Sequence, residues 1–105
     1  MSWSVARSFC TQHDMEFVYF DSLAESVQYL SFKPNHYWIG ITDASVEGSF
    51  SKYSGTRTSQ NSLLRWGLGE PNNAGGNENC VEVVTDYNDN DCAKFFQGGC
   101  MRKIQ

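Results

Sequence analysis

Proline, long apolar runs and basic clusters are all scarce in this sequence. It has 2 prolines among 105 residues, and its longest uninterrupted apolar run is only a few residues, as at Phe17 to Phe20. A helix that crosses a bilayer needs about 20 such residues. The net charge of −4 argues against electrostatic binding to nucleic acid phosphates or to an anionic membrane. With 40% apolar and 19% charged residues, the composition predicts one soluble globular domain over residues 1–105.

The sequence also lacks any Cys-x-x-Cys pair. Only His13 and His36 could join the cysteines in a zinc site. Neither has zinc-ligand spacing to a cysteine, which argues against zinc. An even number of cysteines in a small chain predicts two disulfides and an oxidising compartment. No signal peptide precedes the first predicted helix, so the chain is expected to be a mature segment. Three pairings are possible for the four cysteines, which are Cys10, Cys80, Cys92 and Cys100.

Basic residues are absent from the whole of segment 66–93, which carries six acidic residues. The acidic residues are Glu70, Glu78, Glu82, Asp86, Asp89 and Asp91. Six asparagines are interleaved with them, at positions 72, 73, 77, 79, 88 and 90. Carboxylates mixed with neutral amide oxygens are what a hard cation such as calcium requires. The alternative is a solvated acidic loop without an ion.

Two helices are predicted in the first third of the chain. The first begins after Ser2 or Ser4 and runs to about His13. Its inward stripe is predicted to be Trp3, Ala6, Phe9 and Cys10. The second begins at Ser22, which forms a capping box with Glu25. Its predicted core-facing residues are Leu23, Val27 and Leu30, with Pro34 ending the helix.

Short extended segments dominate the remainder of the chain. They are predicted at 15–20, Tyr37–Ile41, Ser49–Tyr53, Cys80–Val84, Ala93–Gln97 and Cys100–Ile104. Between them, Ser54 to Asn79 has little periodicity and much Gly, Asn and Ser, and so long a connection is usually functional. The fold class is therefore α+β, with two helices, an antiparallel β half and one large loop.

Five oxygen-bearing side chains lie in three short motifs of this half. The motifs are Glu70-Pro71-Asn72, Glu78 just before Cys80, and Asn88-Asp89 just before Cys92. A cis peptide bond before Pro71 would turn the side chains on either side of it to the same side. Because calcium takes six to eight oxygens, five side chains would leave coordination positions open for an outside ligand.

With these motifs the sequence resembles a C-type lectin domain over essentially its whole length. The matching pieces are Tyr37-Trp38-Ile39-Gly40-Ile41, Trp66-Gly67-Leu68-Gly69-Glu70-Pro71-Asn72, Glu78-Asn79-Cys80-Val81 and Asn88-Asp89-x-x-Cys92, with cysteines in the family's order. The resemblance implies two helices, two small sheets and a long calcium-binding loop. It also implies an outer disulfide between Cys10 and Cys100 and an inner one between Cys80 and Cys92.

The resemblance further implies the residues that bind calcium and sugar. The principal calcium, and two adjacent sugar hydroxyls with it, would be held by Glu70, Asn72, Glu78, Asn88 and Asp89. An auxiliary calcium would use Asp43, Glu47, Asn73 and Asn79, beside the shared Glu78. In the family, Glu-Pro-Asn accompanies mannose-type ligands and Gln-Pro-Asp accompanies galactose.

The expected function is therefore a secreted or extracellular calcium-dependent lectin. It would recognise mannose, fucose or N-acetylglucosamine on glycoproteins or microbial surfaces, as in innate immunity or cell adhesion, and would gain avidity from oligomers or tandem domains. Galactose binding and a calcium-stabilised protein-recognition module of the same fold are the alternatives. No nucleophile and base stand at a recognisable spacing, so no enzyme is expected.

The tryptophans, the histidines and two of the acidic residues are predicted to have structural or surface roles. Trp3, Trp38 and Trp66 are predicted to lie in the core, and the two histidines at the surface or at a helix cap. Glu82 and Asp91 are interpreted as solvated charges at the rim of the site.

Overall fold

The computed structural model describes residues 1–32, 35–44, 48–53, 60–67, 69–71, 76 and 78–102. Helix α1 spans Trp3–Gln12 and helix α2 spans Leu23–Leu30, and a short 3-10 helix covers Asn61–Leu63. The strands are β1 Met15–Phe17, β2 Asn35–Thr42, β3 Ser51–Lys52, β4 Cys80–Val84, β5 Asp86–Asn90, β6 Gln97–Gly98 and β7 Cys100–Arg102. No helix in these described ranges has the length and apolarity that a membrane span requires.

Helix α1 buries a narrower stripe than predicted. Trp3, Ala6 and Cys10 are buried, but Phe9 is 43% exposed, so its assignment to the core was wrong. At 100° per residue, Phe9 lies about 90° around the helix from the centre of the buried stripe. Its ring instead packs against His13, which caps the helix and whose Nδ1 lies 2.8 Å from the Phe9 carbonyl oxygen.

Helix α2 starts as predicted, and of its three predicted core positions Leu30 is buried but the other two are not. The Ser22 Oγ accepts a hydrogen bond from the Glu25 N–H. The predicted core positions Leu23 and Val27 were wrong, since they are 48% and 38% exposed. The buried face is centred on Ser26, because its small side chain lets the helix approach the 3-10 helix closely enough for Ser26 Oγ to bond the Leu63 carbonyl.

The described strands form two sheets. Strands β1 and β7 pair as an antiparallel two-stranded sheet. The larger sheet has the order β3-β2-β4-β5, with all these pairs antiparallel, and β6 adds to β2 in parallel. This arrangement confirms the predicted α+β class with its small antiparallel sheets.

Several strand boundaries differ from the prediction. Asp86–Asn90 was not predicted as a strand because Asp and Asn are depleted in strands, yet all five residues pair with β4. A tight turn at Thr85, with φ of 65°, joins the two strands. The strand predicted at Ala93–Gln97 was wrong for most of its length, since β6 begins only at Gln97. The predicted helix stop at Pro34 lies outside the described residues.

The core lies between the helices and the larger sheet. Its largest fully buried apolar side chains are Trp38, Tyr87, Phe17, Phe50, Ile39 and Ile41. Trp3 is also buried and Trp66 packs against the core, as predicted. The disulfides join Cys10 to Cys100 and Cys80 to Cys92, which is the pairing that the resemblance implied. One links α1 to β7, and the other links the start of β4 to the residues after β5.

Candidate functional site

The segment that carries Glu70 is attached to the edge of the larger sheet. The Gly67 N–H donates to the Tyr87 carbonyl at 2.8 Å, and the Tyr87 N–H donates to the Arg65 carbonyl at 3.2 Å. These bonds form a short parallel bridge between Trp66 and Tyr87, which adds this segment to the edge of the sheet beside β5. The Glu70 N–H then donates to the Gly67 carbonyl at 2.9 Å, so the backbone of Glu70 is fixed relative to β5.

A turn at Gly69 leads directly into Glu70. Gly69 has φ of 79°, a left-handed conformation that glycine adopts without steric cost. The Glu70-Pro71 peptide bond is cis, which is the geometry whose effect on the flanking side chains the sequence analysis considered. The next residue of the motif, Asn72, lies outside the described residues.

Glu78 is placed by the chain that enters β4. The carbonyl of the next residue, Asn79, accepts hydrogen bonds from the Asp43 N–H at 3.0 Å and from Thr42 Oγ1 at 2.6 Å. Cys80 follows and is held by its disulfide to Cys92. Glu78 therefore stands just ahead of a strand that is fixed both by backbone hydrogen bonds and by a covalent bond.

Asp89 contributes the third carboxylate from within β5. It lies opposite Val81 in the register of β4 and β5, and it is only 1% exposed. A carboxylate is almost never buried to this extent without compensating interactions.

Three of the predicted ligands come together in the folded chain. One oxygen each from Glu70, Glu78 and Asp89 can be chosen so that all three atoms lie within 4.8 Å of one another. The first two residues are half-buried and the third is buried. Three converging carboxylates form a concentrated negative site, and such a donor set suits a hard divalent cation.

The fourth described ligand of the predicted set, Asn88, is adjacent to Asp89 in β5 but belongs to the other face of the strand. It pairs with Glu82 of β4 in the sheet register. Its side-chain Nδ2 donates to Glu82 Oε2 at 3.1 Å. The amide nitrogen of Asn88 is thus hydrogen-bonded to Glu82, which the sequence analysis had not assigned to the site.

Glu82 is not the solvated rim charge that the sequence suggested. It is only 2% exposed, and it interacts with His36, Asn88 and Asn90. The pairing of Glu82 with Asn88 could have been derived only with β5 recognised as a strand, since the register then places them side by side. Asp91 is half-buried rather than fully solvated, and its Oδ1 accepts the Ala93 N–H.

The predicted auxiliary site is only partly within the described residues. Asp43 is buried and its Oδ2 accepts the Gly48 N–H at 2.8 Å, while its own N–H contacts the Asn79 carbonyl. Asp43 and Asn79 are thus neighbours through the backbone. Glu47 and Asn73 lie outside the described residues, so the auxiliary calcium stays a prediction.

Tyr87 supports the site from the core. Its ring is fully buried and its hydroxyl donates to the Ser26 carbonyl at 2.8 Å. Burial raises the pKa of Tyr87 well above its ordinary value, with a smaller contribution from nearby Tyr29. Tyr87 therefore stays neutral at physiological pH and anchors the strand that carries Asn88 and Asp89.

Comparison with known proteins places this arrangement in a family. The sequence matches the family described as "Lectin C-type domain" over residues 1–102. It is 37% identical over 93 residues to hepatic lectin of Gallus gallus, covering 87% of this chain and 44% of that protein. The solved cow C-type carbohydrate-recognition domain of CD23, obtained in the presence of a GlcNAc2Man3 oligosaccharide, has a TM-score of 0.78 and 30% identity, covering 95% of this chain and 78% of that one.

The fold alone does not establish calcium binding. A calcium-independent type II antifreeze protein has a TM-score of 0.78 and 21% identity, covering 95% of this chain and 77% of that one. The chain also spans less than half the length of the hepatic lectin. The family match over residues 1–102, together with the confirmed fold and disulfides, shows that this chain belongs to the C-type lectin domain family.

Proposed function

We propose that the domain binds mannose-type glycans in a calcium-dependent manner, without catalysing a reaction. The observation that carries the proposal is the convergence of the Glu70, Glu78 and Asp89 carboxylates. The three come from separate segments of the chain, and each segment is fixed to the sheet by hydrogen bonds, pairing or a disulfide. Such convergence is costly unless a cation offsets the negative charge.

The donor set fits a calcium ion. Glu70, Glu78 and Asp89 would supply carboxylate oxygens, and Asn72 and Asn88 would supply amide oxygens. When bound, calcium would provide open coordination positions for two adjacent sugar hydroxyls. A hard oxygen-only set of this kind favours calcium over zinc, which prefers nitrogen and sulfur.

The same side chains would also form hydrogen bonds with the sugar. A carboxylate only accepts, so Glu70 or Glu78 would take the proton of a hydroxyl. An amide N–H of Asn72 or Asn88 would donate to the oxygen of the same hydroxyl. Each hydroxyl would thus be read as both donor and acceptor, which selects for its orientation on the sugar ring.

Mannose-type selectivity is proposed from the order of these groups. Glu70 precedes the proline and Asn72 follows it, which is the Glu-Pro-Asn order that accompanies mannose in the family. The double variant Glu70→Gln and Asn72→Asp reverses the polarity of the hydrogen bonds and should shift preference towards galactose. An unchanged preference would assign selectivity to the surrounding loop.

Glycoproteins or microbial surfaces are the proposed partners, and the proposed location is extracellular. Two intact disulfides suit an oxidising compartment. A shallow monosaccharide site has a Kd of about 1 mM, or about −4 kcal/mol, so useful avidity requires several sites. We therefore propose that the domain acts in an oligomer or in a tandem array.

The direct test is retention on mannose and galactose resins in millimolar calcium, followed by elution with a chelator. Retention on mannose that chelation abolishes is expected, whereas galactose retention would keep the mechanism and overturn the specificity. Glu78→Gln should abolish retention, while Asp91→Asn, with the same charge change outside the three converging carboxylates, should not. Retention on neither resin by a protein that calcium stabilises would favour the protein-recognition alternative.

A further inference from the structure

Glu82 is a buried carboxylate at the centre of a polar network on one face of the larger sheet. Its Oε1 lies 3.0 Å from His36 Nδ1. Its Oε2 accepts hydrogen bonds from the side-chain amides of Asn88, at 3.1 Å, and Asn90. A charged side chain that is 2% exposed is retained in a strand only at a cost in free energy, which invites a functional explanation.

The contact with Glu82 determines how the Asn88 amide is oriented. An amide can present either its carbonyl oxygen or its NH2 group to a neighbour, and the two orientations have nearly the same shape. The Glu82 carboxylate accepts but does not donate, so it selects the NH2 group of Asn88. The carbonyl oxygen of Asn88 is therefore directed away from Glu82.

The neighbouring amide, that of Asn90, also presents its NH2 group to Glu82. Asn90 Oδ1 accepts the Asp91 N–H at 2.8 Å, which fixes the orientation of Asn90 independently. Its NH2 group then meets the same oxygen of Glu82 that faces Asn88. Glu82 Oε2 is thus a shared acceptor for two amide groups, and both must present nitrogen to it.

We propose that Glu82 is a positioning residue that orients Asn88 for calcium and sugar. This inference rests on the proposed function, in which the Asn88 oxygen is a calcium ligand. One Asn88 N–H is used by Glu82, and the second stays available to a sugar hydroxyl. Without the acceptor, the amide would rotate and present NH2 groups to the cation in part of the population.

The variants Glu82→Leu and Glu82→Gln test the proposal by calcium titration calorimetry. Loss of a residue that orients a metal ligand typically weakens metal binding by about 10–100-fold, so Glu82→Leu should raise the calcium Kd by at least about 10-fold. Glu82→Gln keeps an acceptor oxygen for the two amides and should restore most of the affinity. Ile39→Val, a core truncation away from the network, should lower stability while leaving the calcium Kd unchanged.

A spectroscopic measurement does not depend on the folding of any variant. In the wild-type protein, one side-chain amide proton of Asn88 should resonate downfield and stay protected from exchange, both with and without calcium. Loss of that protection on calcium addition would show that Asn88 leaves Glu82 to bind the ion, and would overturn the proposal.

The outcomes distinguish a failure of the proposed calcium-dependent function from a failure of the proposed role of Glu82. A wild-type protein that binds no calcium would refute the proposed function itself. A wild-type protein that binds calcium, with an unaltered Kd in Glu82→Leu, would leave the function intact and refute the role of Glu82. Equal weakening in Glu82→Gln and Glu82→Leu would also refute it, because the effect would then follow the lost charge and not the acceptor.

Discussion

Replacing Glu78 by Gln should remove most of the stability that calcium confers on this domain. A ligand that binds only the folded state at 100 times its Kd stabilises that state by about 2.7 kcal/mol. For a domain of this size, 1 kcal/mol corresponds to about 4–8 °C in Tm, so calcium should raise the wild-type Tm by about 10–20 °C. The assay is thermal unfolding with calcium and with a chelator.

The magnitude for the variant follows from the place of Glu78 in the site. Glu78 supplies one of the three converging carboxylates, so Glu78→Gln removes one charged oxygen ligand of the proposed ion. Because Glu78 is only half-buried and its charge is screened by solvent, we take a loss of about 2.7 kcal/mol, which is a hundredfold in Kd. At the same calcium concentration only about 0.4 kcal/mol of stabilisation then remains, which is about 2–3 °C.

The control for this experiment lies in the same acidic segment. Asp91→Asn removes the same charge outside the three converging carboxylates and keeps the acceptor oxygen for the Ala93 N–H. It should retain the full calcium-induced rise in Tm. A Glu78→Gln variant that keeps that rise, or an equal loss of the rise in both variants, would show that Glu78 does not hold the ion.

Further predictions concern pH and the helix cap. Burial raises the pKa of Tyr29 to about 12 and that of Tyr87 in the same direction, so stability is fully present below the ordinary value of 10.0 and falls as the pH rises towards 12. Tyr29→Phe should reduce the loss of unfolding free energy between pH 9 and 11 by about 1 kcal/mol, measured with denaturant. Ser22→Ala should cost about 1 kcal/mol in urea unfolding, because the Glu25 N–H loses its cap.

Local signals in the sequence predicted the helices better than the faces they bury. The capping box at Ser22 located the start of α2, because it depends on atoms three residues apart. The buried face was misassigned because apolarity favoured Leu23 and Val27 over Ser26. Close approach of the 3-10 helix, with a hydrogen bond to the Leu63 carbonyl, favours a small hydroxyl at that position over a larger apolar side chain.

Motifs identified the three acidic residues that converge, whereas strand pairing was needed to place Glu82 beside Asn88. Glu70, Glu78 and Asp89 are identified from motifs, and they do converge. Glu82 was misassigned because Asp86–Asn90 has the composition of a loop, and without that strand nothing places Asn88 opposite Glu82. A polar strand is stabilised here by its ladder to β4, by the buried Tyr87 ring and by the nearby disulfide, none of which intrinsic propensity records.

The two faces of β5 place different side chains around the candidate site. On one face, Tyr87 is buried in the core and Asp89 converges with the other carboxylates. On the other, Asn88 is held by the Glu82 carboxylate. Because adjacent residues of a strand point to opposite faces, one short strand can place the Asp89 carboxylate among the converging acidic residues and the Asn88 amide against Glu82. A spacing of two residues would place both side chains on one face, so the amide would lose its contact with Glu82.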